Sequence, residues 1–306
     1  MMPTSQGASG SATFDIKLSA PLDIAASLER FRSFGDDLID RWDGTHLIQT
    51  VRTQGGAVPC VCTVTGTVRK PTLCVMIPDP VYSSDIERAV HTSFVAAPPE
   101  FNKLVRSDPV IARLDRLSCG LRPVRQLDLL AALIRCISTQ QVNLRWAVIT
   151  RRRLAKAFGD KYTMNGHEVY GFNAERLAAT TVAEIRALQF TTRKAEYIIG
   201  IAEAIKDGRL KLAELTALSD EEAIARLTAL RGIGVWTADW ILARTLGRPR
   251  VVAGDLGVRK AVGLVYLNNV LPSEKEVRQA TAHWGRSANV AQTLLLHGLR
   301  KNLLKP

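Results

Sequence analysis

Leu230-Arg231-Gly232-Ile233-Gly234-Val235-Trp236-Thr237-Ala238 closes one helical pattern and opens the next, with only a Gly-x-Gly turn between them. Two glycines permit positive φ and a close approach of the backbone to whatever lies beside it. The first turn of the second helix carries N–H groups without intrahelical partners at the positive end of its dipole. Such a turn can cradle a phosphate and reads no base. A plain αα-hairpin has the same signature, and a lone Gly-x-Gly does not separate the two.

A second stretch follows downstream: Val251-Val252-Ala253-Gly254-Asp255-Leu256-Gly257-Val258-Arg259-Lys260. An apolar run ends in glycine, then comes one carboxylate, then a helical pattern. Asp255 is a natural N-cap for that helix. It is equally a fixed carboxylate placed beside the turn described above. Taken alone, the residue type favours the cap; the pairing of the two stretches raises catalysis as a second role.

Outward from these motifs the chain has two characters. Before about residue 110, FDIKLS (14–19), HLIQTVRT (46–53), VPCVCTVTGTV (58–68) and TLCVMI (72–77) read as strands rich in β-branched residues. Gly55-Gly56 and Arg69-Lys70-Pro71 read as turns between them. Helical patterns lie at 22–34 and after Ser84, where Ser84-x-x-Glu87 reads as a capping box. The order β-α-β-β-β-α predicts an antiparallel sheet with helices on one face. After 110 almost everything reads as helix, including 127–138 and 142–159, with capping boxes at Thr181/Glu184, Ser219/Glu222 and Ser273/Glu276. The expected class is α+β: a leader over 1–13, a β-rich accessory domain over 14–110 and an all-α domain over 111–306.

The 306 residues carry 41 Lys+Arg against 29 Asp+Glu, a net charge of +12. That excess favours a polyanionic partner, nucleic acid before membrane. At 46% hydrophobic and 23% charged residues, the composition is globular and excludes a disordered chain or a coiled coil. No apolar run is long enough for a membrane span, and the first residues lack a signal-peptide pattern. The five cysteines are odd in number and include no C-x-x-C, which fits a reducing, cytoplasmic compartment. Cys60 and Cys62 have strand spacing and should share a face. Arg151-Arg152-Arg153 reads as a solvated helix face that can flank phosphates. His167, His283 and His297 read as ordinary surface or core residues.

Two more segments, Ile137-Ser138-Thr139-Gln140-Gln141-Val142-Asn143 and Thr192-Arg193-Lys194-Ala195-Glu196-Tyr197-Ile198, join the hairpin and Gly254-Asp255 in a pattern. Together they resemble the helix-hairpin-helix (HhH-GPD) DNA glycosylase superfamily, in particular its 3-methyladenine DNA glycosylase II (AlkA-type) branch. The resemblance runs from about 14 to 300, with the strand-rich part similar to the family's TBP-like accessory domain. It implies base excision repair of double-stranded DNA carrying damaged bases, by a monomer. It implies that Asp255 is the catalytic carboxylate, that Trp236 and Trp240 line the base pocket, and that Arg231, Gly232, Ile233, Gly234, Thr237, Gln140 and Gln141 meet the DNA, Gln141 as the wedge. Trp236 stands where the glycosylase/lyases of the superfamily have a nucleophilic lysine. An indole forms no Schiff base, so the resemblance implies a monofunctional enzyme acting on alkylated bases. No metal or organic cofactor is implied, beyond a monovalent cation at the hairpin carbonyls. The chain departs from the pattern at Arg231, at Phe190, at Gln141 in place of leucine, and at Leu294 in place of a pocket tryptophan. Two rival readings stand beside this one: a non-catalytic helix-hairpin-helix DNA-binding module, and an 8-oxoguanine-type glycosylase/lyase.

Overall fold

The computed structural model describes residues 10–305. Most of the expected leader lies outside the described residues, but Ala12 and Thr13 already pair with Ile77 and Met76. The first strand therefore begins two residues earlier than expected.

Five strands form one antiparallel sheet in the order β1-β5-β4-β3-β2. They are β1 (Ala12–Lys17), β2 (Arg41–Trp42), β3 (His46–Thr53), β4 (Gly56–Val64) and β5 (Thr72–Ile77). Period-two alternation sorts their side chains. Leu47, Val51, Val58, Cys60 and Cys62 face α1 (Ile24–Leu28) and α2 (Ser83–Ser93), where they join Ile24, Leu28, Ile86 and Val90 in one core. Cys60 and Cys62 do share a face, with sulfurs 4.0 Å apart. Ile48 and Val61 point to the opposite face.

Two local expectations need correction. The helix expected over 22–34 is only α1 followed by a 3₁₀ turn at Glu29–Phe31. Ser84 caps nothing. Asp79 and Pro80 start a 3₁₀ turn earlier, capped by Asp79 on the Val81 amide, and this runs directly into α2, so Ser84 is already inside the helix.

The rest of the chain is helical with one exception. α3 (Phe101–Ser107), α4 (Pro109–Leu117), α5 (Leu129–Thr139) and α6 (Leu144–Phe158) lead into a β-hairpin, β6 (Gly159–Met164) and β7 (His167–Phe172). Then follow α7 (Ala174–Ala178), α8 (Val182–Ala187), α9 (Thr192–Lys206), α10 (Leu212–Ala217), α11 (Asp220–Thr228), α12 (Val235–Arg244), α13 (Leu256–Tyr266), α14 (Glu274–Ala280) and α15 (Ala288–Arg300). Capping boxes close the starts of α8, α11 and α14 as their sequences require.

The β-hairpin corrects the expectation of an all-α second half. Its turn, Asn165-Gly166, has φ of +48° and +76°, the backbone that suits a two-residue hairpin. Met164 and Val169 cover Ile48 and Val61 on the second face of the sheet. The sheet is thus covered on both faces, by helices on one and by this β-hairpin on the other.

The helices build two further cores. One gathers α5, α9 and α12 around Leu133, Ile137, Ile198, Ile201, Ile241 and Leu242. The other joins Ile111 and Leu114 of α4 to Val258 and Val262 of α13 and to Leu294 and Leu295 of α15. The change of character expected at residue 110 falls inside α4. Among the described residues no helix is long and apolar enough to cross a membrane.

Candidate nucleic-acid and base-excision site

The Leu230–Val235 turn joins α11 to α12 as its sequence predicts. Gly232 has φ +88°, and a Cβ there would come within 2.3 Å of the Tyr197 ring. Both facts require glycine. Ile233 is buried in the larger helical core and anchors the turn. Gly234 is the N-cap of α12 and offers no side chain to its amides. A Cβ at Gly234 would meet nothing within 4 Å. The start of α12 is therefore an exposed helix N-terminus with uncapped amides.

Two side chains fix this turn against its neighbours, and a third ties those neighbours to each other. Gln140 Nε2 donates to the Gly232 carbonyl at 3.0 Å. Arg231 pairs with Glu196 at 3.0 Å, and its guanidinium lies 5.8 Å from the Tyr197 ring centre. Lys194, buried, donates to the Ser138 carbonyl at 3.0 Å, and burial lowers its pKa from the ordinary lysine value. The ends of α5 and α9 and the α11–α12 turn thus lock together.

Asp255 caps α13. Its Oδ1 accepts the Val258 amide at 3.0 Å, and its own N–H donates to the Val252 carbonyl at 3.0 Å. Among the described residues no protein group donates to Oδ2. The loop before it is held from inside, where buried Gln292 accepts the Val252 amide at 2.7 Å. A Cβ on Gly254 would lie 3.4 Å from Trp236 Cδ1 and 2.8 Å from Glu274 Oε1. Trp236, in the first turn of α12, therefore stands against the residue next to Asp255.

Trp240 is one turn further along α12 and packs partly on the helical core. Its ring is 5.9 Å from the Arg30 guanidinium, which donates to the Val124 carbonyl at 3.0 Å. Burial pushes Arg30 well below the ordinary arginine range, and Arg244, Arg135 and Arg300 push it the same way. Burial and the charge of Arg300 likewise lower Arg244 to about 10, with Asp255 acting in the opposite direction. Burial also raises Asp40 to about 6, against Arg135. The surroundings of Trp240 are rich in guanidinium groups, whereas no cation stands against Trp236 among the described residues.

The expected site residues thus divide. Gly232, Gly234, Trp236 and Asp255 come together around the starts of α12 and α13. Gln141 is exposed with φ +54° on the α5–α6 turn. Thr237 is 1% exposed, so its side chain cannot reach a phosphate; it belongs to the core, with Ile233. Gln140 spends its amide on Gly232. Arg151 is a second correction: it is buried, bonded to Asp37 at 2.8 Å and to Ser138 Oγ at 2.8 Å, while Arg152 and Arg153 are exposed. Leu294 is fully buried among α13, α4 and α15 and is no pocket wall.

Asp239 escapes a motif reading. It is 1% exposed between the two tryptophans, accepting Arg278 at 2.7 Å and also Arg250. These pairs tie α12 to α14 and to the chain leading to Asp255. The signal was present as an acid inside an otherwise apolar helical stretch.

The fold and these motifs define a helix-hairpin-helix base-excision scaffold. Residues 134–287 match the model of the HhH-GPD superfamily of base excision DNA repair proteins, and the chain belongs to that superfamily. It is 31% identical over 186 residues to a DNA-3-methyladenine glycosylase of Bacillus subtilis, a match covering 60% of this chain and 61% of that one. The chain therefore spans less than two thirds of that relative. In three dimensions it is similar to a 3-methyladenine DNA glycosylase from Archaeoglobus fulgidus, with a TM-score of 0.83 and 24% identity over 94% of this chain and 98% of that one. It is also similar to an 8-oxoguanine glycosylase/lyase of Clostridium acetobutylicum in complex with double-stranded DNA, with a TM-score of 0.71 and 19% identity over 93% and 94% of the two chains. One fold hosts both activities, so the fold does not choose between them.

Proposed function

We propose that this chain is a monofunctional DNA glycosylase that removes alkylated bases from double-stranded DNA. One observation carries the reading: Asp255, the residue after the Gly254 that Trp236 stands against, uses one carboxylate oxygen to cap α13 and, among the described residues, has no hydrogen-bond donor on the other.

N-alkylation makes a purine cationic and weakens its bond to the sugar, so the leaving base needs little acid assistance. Positive charge grows on the sugar as the bond breaks. Asp255, held in place by the Val258 amide, stabilises that charge and orients the attacking water. The base must first leave the stack, at a cost of about a few kcal/mol. Uncapped amides at the start of α12 hold a phosphate while this happens, and Gln141 enters the vacated space from its exposed turn. Trp236 offers a ring face to the cationic base. Trp240 suits that task less, because Arg30 is already beside its ring. The Gly232 and Leu230 carbonyls, which accept Gln140 Nε2 and the Ile233 amide, are the groups that would hold a monovalent cation at the turn.

The test is incubation with methylated duplex DNA, with and without alkali. Release of 3-methyladenine or 7-methylguanine, leaving alkali-labile but otherwise intact strands, is the expected outcome. Borohydride trapping of the protein on DNA would instead identify a lyase. Binding without release would identify the non-catalytic module.

A further inference from the structure

We propose that Asp43, His46 and His167 form a binding site for one divalent transition-metal ion of the zinc class, bridging the five-stranded sheet and the β6–β7 hairpin. One ligand atom from each of these residues can be chosen so that all lie within 4.8 Å of one another. His46 Nδ1 is 2.9 Å from Asp43 Oδ2. The rings of His46 and His167 are 5.1 Å apart at 47°. Zinc bonds to nitrogen and oxygen are about 2.0–2.2 Å long, which sets neighbouring ligand atoms roughly 3–3.5 Å apart. The Asp43–His46 pair already has about that separation, and the ligand atom of His167 lies within 4.8 Å of both.

Strand pairing and backbone hydrogen bonds hold these groups. His46 opens β3 and pairs with Thr63 of β4. His167 opens β7 and pairs with Met164 across the Asn165-Gly166 turn. The second carboxylate oxygen of Asp43 accepts the amides of Thr45 and His46 at 2.8 and 2.7 Å, which orients the first oxygen toward the rings. The charged neighbours in sequence are otherwise engaged: Arg41 with Asp36, and Glu168 with Lys161. Two imidazoles and one carboxylate suit zinc, nickel or cobalt; an all-oxygen set would suit calcium or magnesium. Three protein ligands leave at least one position for water.

His46 belongs to the sheet and Asp43 to its β2–β3 turn, and His167 to the β-hairpin packed against the sheet through Ile48, Val61, Met164 and Val169. An ion held by all three joins two parts of the chain far apart in sequence. It stabilises the folded state by mass action. This inference does not depend on the glycosylase reading, since none of the three ligands belongs to the elements that carry Asp255 or the helical hairpin.

The experiment uses the full chain, freed of any affinity tag and stripped with chelator, then titrated with zinc chloride by calorimetry and followed by thermal unfolding. One equivalent should bind, and the unfolding temperature should rise. His46→Gln and His167→Gln should each weaken binding by at least roughly a hundredfold, the upper end of what the loss of an outer partner costs, and abolish the rise. Cys119→Ser, at an exposed thiol, should change neither. Should either histidine variant fail to fold, diethylpyrocarbonate labelling of the wild type gives the same answer: zinc should protect His46 and His167 together and leave exposed His91 reactive. Absence of binding, binding retained in both histidine variants, loss only in Cys119→Ser, or no protection would each overturn the site.

Discussion

The starts of α12 and α13 meet the same physical problem in opposite ways. Each first turn presents amides with no partner inside its own helix. At α13 the protein supplies the partner, Asp255, whose Oδ1 takes the Val258 amide. At α12 it supplies none, because Gly234 has no side chain and open space lies where one would stand. One helix start is closed by a carboxylate of the chain; the other has no side-chain cap. Trp236 and Gly254 are the contact between them. On the proposed reading, the carboxylate serves the growing sugar cation while the uncapped amides remain for the phosphate, and neither charge cancels the other.

Four substitutions break or sharpen this contrast. The largest effect is expected from Asp255→Asn. Asparagine caps a helix about as well as aspartate, so the unfolding temperature should stay nearly unchanged. Single-turnover excision of 7-methylguanine should fall roughly 10²–10³-fold, about 3–4 kcal/mol. A variant with wild-type rates would reduce Asp255 to a cap. Next comes Gly232→Ala, which meets both the φ of +88° and the Tyr197 ring. Urea denaturation should show a loss of about 2–4 kcal/mol from backbone strain and overpacking.

Trp236→Ala removes the contact between the two helix starts. Loss of a ring face costs about 0.5–2 kcal/mol of attraction for a cationic base. Because the cavity also changes, the quantity to measure is the ratio of excision of charged to neutral lesions of similar size. An unchanged ratio makes Trp236 a packing residue. The smallest effect, and the most specific, is expected from Gly234→Asp. A carboxylate there imitates α13, so stability should rise by a few tenths to about 1 kcal/mol. DNA affinity should fall, and the slope of log K against log salt should become shallower by about one phosphate contact. If stability rises and affinity does not change, the start of α12 is a turn and nothing more.

Local chemistry explains what the sequence made legible. The Gly-x-Gly turn, the Asp255 cap and three capping boxes are each written in a few adjacent residues, and each formed where its residues stand. The β6–β7 hairpin was equally local but was overshadowed: Asn165-Gly166 is a strong turn signal, yet it lies amid long helical patterns, and only contact with the sheet makes its strands worthwhile. The pairings of Arg151 and Asp239 were beyond reach for another reason. Asp239 stands out as an acid in an apolar stretch, but its partner Arg278, like Asp37 for Arg151, is remote in sequence, so no window along the chain contains the cause. Gln140 belongs with them, since its partner, Gly232, comes from a different helix pair.

The β-hairpin also bears on how this protein can be divided or inherited. The segment matched by the family, 134–287, includes both strands of that hairpin but not the sheet they cover. Excised alone, it would present Met164 and Val169 to water, and the sheet left behind would present Ile48 and Val61. Each fragment would carry an adhesive face made for the other. A fragment encoding the recognisable motifs alone would therefore carry an apolar face that the full chain covers.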